Sequence, residues 1–354
     1  MAHSTEATEL SPTLKGVKRI AFFGDSLTDG SNYPDYVVNT LNRLHPEAGY
    51  ELFNAAICGD TSTDLVRRLE ADVLALRPNL VVIGIGTNDA LGKMEPEQYR
   101  ENMTTLIRSI QEHKAKVLLI LPSPMGDEKR EEKLLAFIQV LRELAVTYDL
   151  PVADAHGLFQ QWAKDGKSVV GPDGVHHGPD GFACMGRAVL DGLGYLGVPM
   201  ETTIRPKSGL LEAWETSSPV PKKKSEEYDL TEAVSWRPYL RDPLLEKLGW
   251  ADAPFVARGA WMPFDGLPSK DQVAFGRSYF EAPAAGVWRM EVGGSPNPLI
   301  VWVNGQKVWS SSRLHGYHPN VDRFPVKLVA GKNEIIVVSR YMTFVGLYPI
   351  SPES

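Results

Sequence analysis

Cysteine is scarce in this sequence. Cys58 and Cys184 are the only two among 354 residues, too few for a disulfide framework, and their separation fits no zinc-binding spacing. Two free thiols are expected, with a bridge between them as the alternative if both flank one site. Long apolar runs are also missing. Nothing approaches the roughly 20 residues that cross a bilayer, so no membrane insertion is expected. Positive charge is in deficit, with 37 Lys and Arg against 44 Asp and Glu and a formal net charge of −7. The one basic run, residues 222–224, is followed at once by Glu226 and Glu227. Such a chain has no electrostatic reason to hold a phosphate backbone or an anionic membrane, so nucleic acid is not an expected partner. The first twenty residues hold no apolar stretch of the kind a signal peptide needs. That points to the cytoplasm, or to secretion or the periplasm if a leader has been removed.

The chain is long for one core, and two domains are expected. Over residues 18–200, short apolar runs alternate with amphipathic stretches, the pattern of a parallel sheet with helices on both faces. The candidate strands are residues 19–23, 51–55, 80–85, 117–121 and 151–153. Between them, Leu65, Leu69, Val73 and Leu76 share one helical face, as do Tyr99, Met103, Ile107 and Ile110 behind Pro96. Residues 201–229 lose this periodicity to Pro206, Pro219, Pro221 and the lysine run, as a linker does. Residues 230–354 then alternate with the period of strands, at 287–292, 299–303, 307–309, 324–329 and 334–339. Asn304-Gly305 between two such runs predicts a two-residue hairpin, because both central residues of a type I′ turn need positive φ. Residues 330–333 predict a second one. Seven of the eight tryptophans lie beyond residue 200, so this half is expected to be a β-sandwich rich in aromatics. The fold class read from the sequence is therefore a three-layer α/β/α domain followed by a β-sandwich.

Three loops leaving the carboxyl edge of the predicted parallel sheet carry groups able to do chemistry. Gly24-Asp25-Ser26-Leu27 follows the first strand, Gly59 the second, and Gly86-Thr87-Asn88-Asp89 the third. Ligands bind at that edge in open α/β sheets. Later comes Asp173-Gly174-Val175-His176, where a tight turn lets the carboxylate accept from the imidazole. A serine hydroxyl attacks an ester carbonyl only if a neighbour takes its proton, and imidazole is the side chain whose ordinary titration range suits that task near neutral pH.

In this order and spacing, these four blocks resemble the SGNH or GDSL hydrolase family over about residues 18–197. The resemblance implies a flavodoxin-like fold, Ser26 as nucleophile, His176 as general base and then acid, and Asp173 as its carboxylate partner. It also implies an oxyanion hole made by the Ser26 and Gly59 backbone N–H groups and the Asn88 side-chain amide. No metal or other cofactor is required. His176 and His177 make a poor metal pair because adjacent side chains diverge, and His177 is expected in a loop near the cleft. Asp25, Asp60 and Asp89 are expected to brace their own loops through Asx-type bonds rather than act as acids. Cys58 has no base assigned to it, and His315 and His318 are expected at the surface.

The turns at 302–308 and 328–333 resemble the jelly-roll accessory domains of carbohydrate-active enzymes. Together the two resemblances predict a serine esterase that removes acetyl groups from poly- or oligosaccharides. The alternatives are a lysophospholipase, thioesterase or aryl esterase on short or medium acyl chains, and a glycan-binding module with a vestigial hydrolase site. The expected partner is thus an acylated small molecule or glycan, and the sequence leaves the oligomeric state open.

Overall fold

The apolar runs of the first half become five strands, β1 (Arg19–Gly24), β2 (Glu51–Asn54), β3 (Leu80–Gly84), β4 (Lys116–Leu121) and β5 (Val152–Asp154). They belong to the first of two compact units, Met1–Ile204 and Arg205–Ser354, in a computed structural model. It describes residues 9–204, 208–233, 235–239, 261, 271–294, 299–311, 319, 321–340 and 342–350. All five strands pair in parallel, in the order β2-β1-β3-β4-β5. Runs such as RIAFFG and KVLLIL show no polar alternation because both faces of the sheet are covered. Successive side chains point to opposite faces. Phe23 and Leu119 therefore join a core with α3 (Ser62–Asp72), α5 (Pro96–Glu112) and α6 (Glu128–Tyr148). Phe22 and Leu118 join another with α2 (Tyr33–Leu44), α7 (Ala155–Lys164) and α8 (Pro179–Gly192).

The predicted helical stripes are buried, although α3 stops at Asp72, and Val73 and Leu76 pack from beyond its end. The remaining helices, α1 (Ser26–Asp29) and α4 (Thr87–Leu91), are one-turn segments directly after β1 and β3. The strand order reverses direction between β1 and β3, which makes their carboxyl ends the topological switch point, where such folds bind ligands. There Gly24 pairs with Gly84. A Cβ on Gly24 would lie 2.3 Å from the Gly84 carbonyl oxygen, so glycine lets the two strands stay in contact at this end.

The second unit is a β-sandwich of antiparallel sheets. Its described strands are β6 (Glu215–Thr216), β7 (Val220–Pro221), β8 (Arg237–Pro238), β9 (Gln272–Ala282), β10 (Gly286–Gly293), β11 (Leu299–Val303), β12 (Gln306–Ser311), β13 (Asp322–Leu328), β14 (Gly331–Ser339) and β15 (Phe344–Pro349). One sheet runs β12-β11-β14-β9-β6-β8, with β7 also on β9, and the other runs β13-β10-β15. Asn304 and Gly305 turn β11 into β12 with φ of 49° and 81°. The turn at 330–333 differs from the expected hairpin: β13 and β14 lie in different sheets, so it carries the chain around a corner. The Asn333 side chain closes that corner, its Oδ1 accepting from Val329 N–H and its Nδ2 donating to the Val329 and Gly331 carbonyls.

Part of the segment read as linker is also built into this unit. β6 and β7 pair with β9, and Trp214 and Tyr228 are buried because their rings pack on Trp261 and Phe275. Trp302 is buried as well, while Trp236, Trp288 and Trp309 are half-buried. Trp250 and Pro206 lie outside the described residues.

Candidate active site

Each loop at the switch point folds for a local reason. After β1, Asp25 caps α1, its Oδ1 accepting from Leu27 N–H at 3.0 Å. Ser26 becomes the first residue of that helix, where a backbone N–H has no intrahelical acceptor. After β2, Gly59 takes φ +85°, which a side chain would oppose. A Cβ at this position would meet nothing within 4 Å, so backbone conformation rather than crowding selects glycine. After β3, Gly86 opens α4, which presents Asn88.

These loops are tied to one another. Asp29 Oδ2 accepts from both the N–H and the thiol of Cys58 at 3.1 Å. Asn88 Nδ2 donates to the Asp60 carbonyl at 2.8 Å, which leaves its second hydrogen for a ligand. Asp89 accepts from the Ser62 N–H and hydroxyl. Beneath them the nearly buried Arg68 donates to Asp60 at 2.6 Å and to the Gly24 and Ala55 carbonyls, with its guanidinium over the Phe23 ring. Asp25 thus forms the expected Asx-type bond, whereas the Asp60 carboxylate pairs with Arg68 of the helix that follows it and the Asp89 carboxylate reaches Ser62 after a different strand. Nothing in the helical pattern singles out Arg68, Asp29 or Ser62, because their partners are distant in sequence.

The chain brings Ser26, His176 and Asp173 together. Ser26 Oγ lies 3.0 Å from His176 Nε2, and His176 Nδ1 lies 2.7 Å from Asp173 Oδ2. The other Asp173 oxygen accepts from the Val175 and His176 N–H groups at 3.0 and 2.9 Å. These bonds, the His176 ring first among them, hold the Asp173 carboxyl well below the usual carboxylate range. A carboxylate at Nδ1 selects the tautomer with its hydrogen there, so Nε2 is left to accept from the serine. The His176 and Asp173 side chains are 56% and 53% exposed, so this pair faces solvent.

Their loop rests on a glycine contact: Gly126 N–H donates to the Gly174 carbonyl at 2.9 Å. A Cβ on residue 126 would be 3.1 Å from Gly174 Cα. Glu131 holds the preceding residue, accepting from Met125 N–H at 2.7 Å, and pairs with His156 at 2.6 Å.

His177 lies in the loop before α8, with its side chain turned inward. Its ring is buried against Phe159, its Nε2 is 2.7 Å from Ser123 Oγ, and burial pushes its pKa down to about 3. An extended bridge between Val170 and His177 turns the ring inward while His176 points out. Both cysteines are free thiols. Among the described residues no group of His, Cys, Asp and Glu could hold a metal ion, and no helix is long and apolar enough to cross a membrane. His315 and His318 lie outside the described residues.

Residues 22–184 match the GDSL-like Lipase/Acylhydrolase family. The chain is 28% identical over 207 residues to an acetylxylan esterase of Geobacillus stearothermophilus, covering 50% of this chain and 94% of that protein. It is 29% identical over 134 residues to thioesterase 1/protease 1/lysophospholipase L1 of Escherichia coli (strain K12), covering 36% and 59%. Over 71 residues it is 41% identical to esterase TesA of Pseudomonas aeruginosa, covering 20% and 35%. The first unit therefore contains a GDSL/SGNH hydrolase domain, and the chain is a carboxylic ester hydrolase with a β-sandwich following that domain.

Proposed function

We propose that Ser26 is the nucleophile, His176 the general base and then acid, and Asp173 the group that orients the imidazole. The continuous hydrogen-bond chain from Ser26 Oγ to Asp173 Oδ2 carries this reading. Ser26 Oγ attacks the ester carbonyl as its proton passes to His176 Nε2. The imidazolium then protonates the leaving alcohol, and a water deprotonated by the same nitrogen releases the acyl group. Charge that builds on the carbonyl oxygen is met by the Ser26 and Gly59 N–H groups and by the second hydrogen of the Asn88 amide. One such preorganised donor is worth about 3 kcal/mol of barrier.

We infer further that the acyl group is acetyl and the alcohol a poly- or oligosaccharide, and that the second unit is a jelly-roll accessory domain. Two observations support the substrate class. Exposure of His176 and Asp173 suits a bulky polar alcohol approaching from solvent, and the similarity to an acetylxylan esterase runs over nearly the whole of that protein. The similarity to a thioesterase and lysophospholipase favours the second reading, medium acyl chains. An intact Ser26–His176–Asp173 chain argues against a vestigial site.

The test is initial-rate hydrolysis of p-nitrophenyl acetate, butyrate and octanoate, alongside acetate release from acetylated xylan and mannan, with Ser26→Ala as the blank. Preference for acetate with release from a glycan is expected. Preference for octanoate with no glycan activity would move the assignment to lipids or thioesters, and an active Ser26→Ala would remove the mechanism.

A further inference from the structure

Directly behind the nucleophile lies a small recess that the reaction scheme does not use. It sits between the carboxyl ends of β1, β3 and β4, has about 10 Å³ of room, and its polar walls are Asp25, Thr28, Thr87 and Ser123. All four of these residues are buried. Room of this size fits one water molecule, which needs two to four polar partners. Asp25 supplies the reason for one. Its Oδ1 is taken by Leu27 N–H, whereas its Oδ2 is buried with no partner in the protein, a costly arrangement for a polar atom. Ser123, also among the lining residues, has its Oγ bonded to His177 Nε2 at 2.7 Å.

We propose that this cavity binds one structural water that joins Asp25 Oδ2 to Ser123 Oγ, making Asp25, Ser123 and His177 positioning residues for the Ser26–His176 pair. Asp25 immediately precedes Ser26, and His177 immediately follows His176, so the bridge fastens the two working loops from below. The hydrogen bonds run in one direction without conflict. Protonated Asp25 Oδ2 donates to the water, the water donates to Ser123 Oγ, and the Ser123 hydroxyl donates to His177 Nε2. Burial supports this polarity, because it raises the Asp25 pKa to about 7 and keeps His177 uncharged. No proton leaves the chain during turnover. Its work is to hold Oγ and Nε2 at bonding distance, where a misplacement of about 1 Å costs on the order of a hundredfold.

This inference rests on the assignment of Ser26 and His176 as the reacting pair. The direct measurement is a high-resolution crystal structure of the full chain, in which density for one water within hydrogen-bond distance of Asp25 Oδ2 and Ser123 Oγ is expected. A dry cavity would overturn the proposal without any variant having to fold. Kinetically, Ser123→Ala should lower kcat roughly tenfold with KM nearly unchanged, and Asp25→Asn should restore most of the kcat that Asp25→Ala loses, because the amide still donates into the cavity. A Ser123→Ala enzyme with unaltered kcat, or an Asp25→Asn enzyme as impaired as Asp25→Ala, would also overturn it. Ser26→Ala separates the two levels: turnover by that variant defeats the triad assignment, whereas an inactive Ser26→Ala beside an unaffected Ser123→Ala defeats only the water bridge.

Discussion

Two sets of Asp, Ser and His stand next to each other in this domain, and they differ in almost everything except residue type. The outer set, Asp173, Ser26 and His176, is joined by short hydrogen bonds, with the carboxyl and imidazole more than half exposed. The inner set, Asp25, Ser123 and His177, is buried. Outside, hydrogen bonds keep the carboxylate charged; inside, desolvation drives the aspartate toward the neutral acid and the histidine toward the neutral base. A Ser–His contact alone is therefore not a nucleophile. Ser123 and His177 are closer than Ser26 and His176, at 2.7 against 3.0 Å. They still lack an ionised carboxylate at Nδ1, which is buried with no protein partner, and they lack access to substrate.

The largest expected effect sharpens this contrast at its charged end. Asp173→Asn keeps the shape of the outer set but removes the charge that selects the tautomer, and kcat should fall by up to about ten-thousandfold. Asp173 also accepts from two backbone N–H groups, which the amide oxygen can still serve, so the melting temperature should change little. A near-normal rate would mean that the carboxylate is not what distinguishes the outer set.

Asn88 comes next because its amide belongs to both worlds, with one hydrogen on the Asp60 carbonyl and the other free to meet an oxyanion. Asn88→Ala should cost a hundredfold to a thousandfold in kcat, the order found for a single oxyanion donor. Thermal denaturation should show a loss of only about 1 kcal/mol from the missing loop bond. If stability collapses and the residual rate per folded molecule is normal, Asn88 is a brace and not a donor.

How much of this was legible in the sequence depends on how local each cause is. Strands β1 to β4 announce themselves as apolar runs because both faces of their sheet are covered, and Asn304-Gly305 announces its hairpin because few residue pairs tolerate that backbone. Asp173 and His176 sit on one tight turn, so their contact follows from spacing. The long central strand β9 escaped notice: residues 273–276 are buried on both faces, and Gly276 lies where a Cβ would strike the Trp261 ring at 2.7 Å. No alternation survives there. The corner at 330–333 reads as a hairpin because turn chemistry fixes the bend and not the sheet that receives the next strand. The burial of the His177 ring was not legible in the same way. It depends on Ser123 and Phe159, brought in by β4 and α7, and nothing near His177 in sequence foretells them.

The smallest expected effect concerns stability and separates the inner set into its two titrating members. Asp25 has a folded pKa of about 7, above its ordinary 3.8, chiefly through desolvation and then through Asp89 and Asp60. The folded protein thus holds a proton that the unfolded chain has lost, and stability from this group is full below the unfolded value and falls as pH rises toward 7. His177 runs the other way: its folded pKa of about 3 lies below the ordinary 6.5. Its contribution is present above the unfolded value and is lost as pH falls. Between about pH 4 and 6.5 the two slopes oppose, each by at most about 1.4 kcal/mol per pH unit, and nearly cancel. Asp25→Asn removes one slope and leaves the other, so denaturant unfolding of this variant should show stability rising with pH across that window more steeply than in the parent, by up to about the same amount. Parallel curves for the two proteins would mean that Asp25 is ionised in the folded state, and the inner and outer aspartates would then differ in position but not in charge.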